Sequence, residues 1–252
     1  MKRYIGAVIV AVVTCGFVGT LRAEGDKSAT AVIDKAIKAL GGEEKLKAIK
    51  AASWNGKGTL TFGGADTEIT STTTIEVPGR FRQDWEAVVQ GTRVNGATVL
   101  SGDKGWRKLN ENLSELDKDA IANEHLNIYP QLLPQSILLL KSDRVKVATA
   151  PEEKVDGKPA PGLKVTMPSG KDFTICFDKE SGLPVKYTGT IMDLQNDEAK
   201  QETFLSKYKE VDGVQKATRV EVKRGGDKFL IYDVLEFKTL KEVDPKTFAE
   251  PK

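Results

Sequence analysis

ITSTTTIEVPGRFRQDWEA, residues 69–87, decides the architecture. Ile69, Ser71, Thr73, Ile75 and Val77 alternate with Thr70, Thr72, Thr74 and Glu76, a period of two that makes a strand with one apolar and one polar face. Threonine and isoleucine suit such a strand because their branched side chains fit a pleated surface. Pro78-Gly79 turns the chain, and Phe81, Gln83, Trp85 and Ala87 resume the alternation. The pattern predicts an antiparallel hairpin that lays one side on a core and leaves the other in water.

Working outward, the same period continues in both directions. Upstream, Gly58, Leu60 and Phe62 share one strand face and Lys57, Thr59 and Thr61 the other, with Gly63-Gly64 as the turn. Before them, Ala31, Ile33, Ala36, Ile37 and Leu40 fall at helical spacing, and Gly41-Gly42 supplies the stop. A short helical turn, 43–49, follows. Downstream, 92–100 and 105–109 extend the meander. Residues 112–127 then read as a charged surface helix. IYPQLLPQSILLL, 128–140, carries a broad apolar stripe of Leu132, Leu133, Ser136, Ile137 and Leu140, with Pro130 and Pro134 limiting its regularity.

Strands resume near Arg144, and 151–161 read as a polar loop. Leu163, Val165 and Met167 pair through Pro168-Ser169-Gly170 with Phe173, Ile175 and Phe177 in a hairpin with one apolar face. Strands at 183–191, 203–208, 217–223 and 228–239 complete the chain. In the last, Phe229, Ile231 and Leu235 lie opposite Leu230, Tyr232 and Val234, which predicts cover on both faces. The reading gives roughly ten antiparallel strands with one helical interruption.

MKRYIGAVIVAVVTCGFVGTLRA, 1–23, reads as an export signal: a basic start, an apolar run and a cleavage site before Glu24. Its loss removes three bases and no acid, which takes the formal charge from +2 to −1. The basic footprint of a nucleic-acid partner goes with it. Cys15 falls in the apolar run, but Thr14 is larger than the usual residue before a lipidated cysteine, so anchoring there is not expected. Cys176 is then the remaining cysteine, which excludes an internal disulfide and a cysteine metal cluster, and its apolar neighbours predict an inert buried thiol.

Chemistry is sparse. His125 is the lone histidine, and on a charged helix it reads as solvated; no Gly-x-Ser-x-Gly elbow or phosphate loop accompanies it. Alternation sets Glu68, Glu76, Asp84 and Glu86 on the water side. Asp193, Asp197 and Glu198 form an acidic bend that matches no calcium loop. Trp54, Trp85 and Trp106 suit core or cavity lining better than a sugar face. No catalytic residue and no metal site is assigned, and the chain reads as non-enzymatic.

The arrangement as a whole resembles the periplasmic lipoprotein-carrier superfamily, the LolA/LolB-like outer-membrane lipoprotein-sorting proteins. The likeness rests on the leading helix with Ala39-Leu40-Gly41-Gly42, on Pro78-Gly79-Arg80-Phe81-Arg82, on Asn95-Gly96 with Gly105-Trp106, and on Phe177-Asp178 with Ser181-Gly182-Leu183-Pro184. Val211-Asp212-Gly213-Val214 and Val243-Asp244-Pro245-Lys246-Thr247-Phe248 complete it. It implies a mainly β fold: an antiparallel, incompletely closed β-barrel over 24–252, one domain, covered by the N-terminal helix and the central helical insertion. It also implies a periplasmic or otherwise extracytoplasmic place and an apolar hollow for a lipid or lipoprotein acyl chain, with no cofactor.

Burying that chain would yield about 0.8 kcal/mol per methylene. The candidate lining residues are Leu60, Phe62, Ile75, Phe81, Trp85, Phe173, Ile175 and Phe177. Leu132, Leu133, Ile137 and Leu138 are candidates for a movable lid, with Pro130 and Pro134 as hinge points. Ordinary core is the alternative reading for each. The alternative function is an envelope sensor or protein-interaction module of the same fold with a filled core and a protein partner; transient membrane contact is compatible with either.

Overall fold

The computed structural model describes residues 21–193 and 197–252. Residues 1–20 of the expected export signal, Cys15 among them, lie outside the described residues, as does the side chain of Phe62. Helix α1 (Leu21–Ala39) and helix α2 (Glu43–Ala48) flank the Gly41-Gly42 stop. The buried stripe of α1 is Ala29, Ile33, Ala36 and Ile37, continued by Leu40. Ala31, expected on that stripe, is exposed, because a stripe through 29, 33 and 37 leaves position 31 on the opposite side.

The first meander comprises β1 (Ala51–Phe62), β2 (Ala65–Glu76), β3 (Arg80–Val89), β4 (Thr92–Ser101), β5 (Lys104–Leu109) and β6 (Asn112–Glu115). The second comprises β7 (Lys146–Val155), β8 (Lys158–Thr166), β9 (Asp172–Phe177), β10 (Pro184–Met192), β11 (Glu198–Val211), β12 (Val214–Arg224) and β13 (Asp227–Leu240). They form one sheet in the order β6-β5-β4-β3-β2-β1-β13-β12-β11-β10-β9-β8-β7. Neighbours are antiparallel, the first strand pairs with the last along Ala51–Leu240 to Leu60–Leu230, and β6 and β7 do not pair, so the barrel is not closed. Glycine is required at the seam. A Cβ on Gly56 would stand 2.4 Å from the carbonyl oxygen of Asp233 on the paired strand and 2.5 Å from the Tyr232 ring.

Four local expectations are corrected. Residues 151–161 are not a polar loop: β7 runs on to Val155, Asp156-Gly157 make the turn with φ of 50° and 78°, and β8 begins at Lys158. A bulge between Ala150 and Glu153 absorbs Pro151, which an edge strand tolerates. The sheet has thirteen strands rather than about ten, and β6 is one that the sequence reading did not anticipate. The helix expected over 112–127 begins only at α3 (Lys118–Ile128), after Asp117 accepts from Ala120 N at 2.8 Å, and it buries Ile121, Asn123, Glu124, Leu126 and Ile128 rather than lying solvated. Residues 128–140 are two 3-10 stretches, Tyr129–Leu132 and Gln135–Lys141, broken at Leu133-Pro134, because each proline lacks the N–H a longer helix needs. Lastly, the second face of β13 is covered only in part: Phe229 and Ile231 are half-buried, with Arg224 over the Phe229 ring, but Leu235 is 61% exposed.

The inner face carries two adjoining cores. Ala52, Trp54, Ile75, Phe81 and Leu100 of the first meander pack with Ile121 and Ile128 of α3 and with Tyr232, Val234 and Phe237 of β13. In the second half, α1 and the 3-10 segments pack on Leu163, Val165, Phe173, Ile175, Phe177 and Tyr187. Tyr129 anchors that core, its ring 4.5 Å from Phe173 and 5.8 Å from Tyr187. The insertion therefore bridges both halves of the sheet from within. Asn123 fixes α3 to β10 by accepting from Met192 N at 2.7 Å and donating to Met192 O at 3.1 Å, and Glu124 pairs with Arg107 of β5.

Candidate functional site

Lys216 is the unusual residue of the inner face. It shares the register of Val214 and Val222 on β12 and is 5% exposed. Its ammonium donates to Leu133 O at 2.6 Å and to Gln131 O at 2.8 Å, both on the 3-10 cover. It also lies 4.3 Å from the Trp54 ring centre and 5.3 Å from that of Phe237. No acidic side chain pairs with it among the described residues. Burial brings the ammonium down to about 7, against the pull of its two carbonyls and the aromatic faces, which favour the charged form.

Beside Lys216 is a partly open cavity of about 110 Å³ between the cover and strands β1, β3, β11, β12 and β13. Trp54, Leu205, Val220 and Tyr232 give it apolar walls, and Leu133 contributes from the cover. Its polar groups come from both sides. Gln83 Nε2 donates to Thr73 Oγ1 at 3.2 Å and to Gln131 Oε1 at 3.3 Å, a second tie between sheet and cover. Tyr208 donates to Pro184 O at 2.6 Å, and burial drives its hydroxyl well above the usual phenol range. The Asn127 carboxamide oxygen is buried without a hydrogen-bond partner. Tyr232 is oriented by its hydroxyl contact with Ser71 Oγ at 2.7 Å.

Of the residues proposed from the sequence, Leu133 lines this cavity. Ile75 and Phe81 lie in the core beneath α3, with Leu132 packed against it. Phe173, Ile175, Phe177 and Ile137 lie in the core beneath α1, with Leu138 packed against it. Leu60 is half-buried near the far end of β1, and Phe62 is outside the described side chains. Trp85 lies over Gly96, where a Cβ would come within 2.5 Å of its ring, and borders a groove of about 730 Å³ on the outer face. That groove also holds Arg82, Asp84 and Glu86, beside Pro251 and Lys252. Arg82 grips Asp84 at 2.6 and 2.7 Å, Arg80 holds Glu76 at 2.7 Å and Arg93 stands 3.8 Å from Glu86, so these carboxylates serve as ion-pair partners.

Trp54, read from the sequence as core or cavity lining, lines the cavity, whereas Lys216, Asn127 and Tyr232 are site residues that pattern reading did not assign. The signal for Lys216 was slight: the lysine and Thr218 interrupt a register that Val214, Val220 and Val222 otherwise keep apolar. His125 is half-buried rather than solvated, and that burial lowers its basicity. Cys176 is buried beside Val155 and Ala160, its thiol pushed up to about 11 by burial. Among the described residues no group of three or more metal-ligating side chains comes together.

Comparison with known proteins reads this geometry by shape. No family model and no curated protein matches the sequence. Solved structures do match. A LolA superfamily protein from Nitrosomonas europaea aligns with a TM-score of 0.56 at 10% identity, over 88% of this chain and 97% of its own. The fold is LolA-like. A DUF1329 family protein from Desulfovibrio piger aligns equally well, at 0.56 and 14% identity over the same shares. An outer-membrane lipoprotein-sorting protein domain from Vibrio parahaemolyticus gives 0.55 at 11% identity, over 87% of this chain and 97% of that one. The LolA-like architecture expected from the sequence, with its open antiparallel barrel, is the one observed.

Proposed function

We propose that this chain is an exported, non-enzymatic protein that holds a lipid or lipoprotein acyl chain between its curved sheet and the 129–141 cover. In this reading 1–23 is a cleaved signal, 24–252 is one domain, and the protein works in the periplasm or another extracytoplasmic space without a cofactor. The observation that carries it is the partly open cavity under the cover, with the cover bonded to the sheet at discrete points through Lys216 and Gln83. Three hydrogen bonds and the apolar packing of Tyr129, Leu133, Ile137 and Leu140 hold the cover, and in this reading it shifts about Pro130 and Pro134 as hinges. The cavity as it stands takes only the start of a chain, and further opening would expose Leu133, Leu205 and Val220 to the rest of it.

Native mass spectrometry of the protein purified from its own envelope, followed by lipid extraction, tests this. Co-purified lipid that is lost in Leu133→Glu, with the circular dichroism spectrum retained, supports acyl binding. An apo mass and no uptake of added fatty acid or lipopeptide refutes it.

One observation favours a second reading, the protein-interaction module. Ile75, Phe81, Phe173, Ile175 and Phe177 are packed solid, while Val88, Val89, Leu109 and Leu113 stand exposed at the hairpin ends of β3, β5 and β6. An exposed apolar group of that kind suits a protein partner. An apo mass together with loss of partner capture in Leu109→Lys supports it over lipid binding.

A further inference from the structure

We infer that the cavity beside Lys216 takes the carboxylate head of an anionic lipid, with Lys216 as its counter-ion. The inference rests on the acyl-binding reading above and names the chemistry at the polar end of the chain. Lys216 is a nearly fully buried cation on an apolar face, without an acidic partner among the described residues. A buried ammonium without a counter-ion is costly, and such groups are found paired or at functional positions. Its acceptors among the described residues, Gln131 O and Leu133 O, belong to the segment that must move for a ligand to enter.

Opening the cover therefore strips the ammonium of both hydrogen bonds at the moment the ligand arrives. A carboxylate brings two oxygens and a negative charge, and so replaces both carbonyls at once; an ester or alcohol head replaces at most one and leaves the charge uncompensated. The surroundings fit a head group rather than a bare hydrocarbon. Gln83 and Gln131 line the cavity, and Trp54 packs against the ammonium. The apolar walls, Leu133, Leu205 and Val220, lie next to the head and receive the first methylenes. Lys216 burial lowers its affinity for a proton, and an incoming carboxylate would restore it.

The test is titration of the full mature protein with dodecanoate and with dodecan-1-ol, followed by tryptophan fluorescence and native mass spectrometry. The wild type is expected to bind dodecanoate about tenfold or more tightly than the alcohol, the value of one charge-assisted hydrogen bond. Lys216→Met is expected to bring the two affinities together while alcohol binding persists, and Lys216→Arg to keep the preference. Equal affinities in the wild type, or a preference surviving in Lys216→Met, overturn the head-group assignment and leave acyl binding standing. Failure of the wild type to bind either probe overturns both readings. Because the wild-type comparison decides by itself, the result does not depend on the folding of either variant.

Discussion

The buried lysine makes a prediction about stability that is independent of any ligand. In the folded chain Lys216 releases its proton near pH 7, and in the unfolded chain near 10.5. Between these values the unfolded state binds more protons, so stability must rise with pH; below pH 7 both states hold the proton and the full cost of the buried charge is present. At full difference the slope is about 1.4 kcal/mol per pH unit, and half-titration at the lower end reduces the gain from pH 7 to 9 to about 2 kcal/mol. With a urea slope of about 2 kcal/mol/M, the midpoint should climb by about 1 M over that range. Other groups perturb the window little. His125 lies below its usual 6.5, and the Cys176 thiol, raised from 9.0 to about 11, opposes the climb by about 0.4 kcal/mol, at the upper end near pH 9. The Arg224 guanidinium, brought down to about 10 by burial, acts above the window. Urea midpoints at pH 6, 7, 8 and 9 for the wild type and Lys216→Met provide the measurement. A wild-type midpoint that stays flat or falls across the window, or an equal climb in Lys216→Met, refutes the reasoning.

Three further outcomes follow from packing. Gly56→Val drives a side chain into the Asp233 carbonyl and the Tyr232 ring and should cost about 1–3 kcal/mol in urea unfolding; a neutral result would mean that β13 is free to shift away from β1 there. Phe173→Ala, at the centre of the Tyr129 and Tyr187 rings at 4.5 and 4.7 Å, should cost about 3–5 kcal/mol, measurable as a lowered midpoint at unchanged slope. Cys176, buried and with its thiol raised to about 11, should resist a maleimide at pH 7 for as long as the chain is folded and react at once in urea; rapid labelling of the native protein would contradict its placement under Val155 and Ala160.

How much could be read from residues alone depended on whether the period-two signal ran uninterrupted. It did in 69–87 and in 163–177, and those hairpins stand as β2–β3 and β8–β9. It did not around Pro151, Pro159 and Pro161, where three missing N–H groups imitate a loop, although Asp156-Gly157 marks the hairpin turn plainly. Asn112–Glu115 has a fully exposed, polar pattern because β6 is an edge strand, and such a strand looks like the approach to a helix. The lid was legible as an apolar stripe, but its 3-10 geometry depends on where each proline falls. The site was less legible than the fold. Lys216 interrupts its register, yet a lysine on a strand usually reaches water by extending its stem. Only the carbonyls of Gln131 and Leu133, some eighty residues earlier in the chain, turn it inward.

The pairing of Ala51 with Leu240 has a consequence for how the molecule comes into being. Each meander is made of neighbouring hairpins and can assemble as it emerges, but the middle of the sheet is stitched from the first strand and the last. Synthesis delivers those two strands far apart in time. The centre of the finished protein is therefore its youngest part, and until β13 arrives, β1 and β12 are two bare edges open to foreign strands.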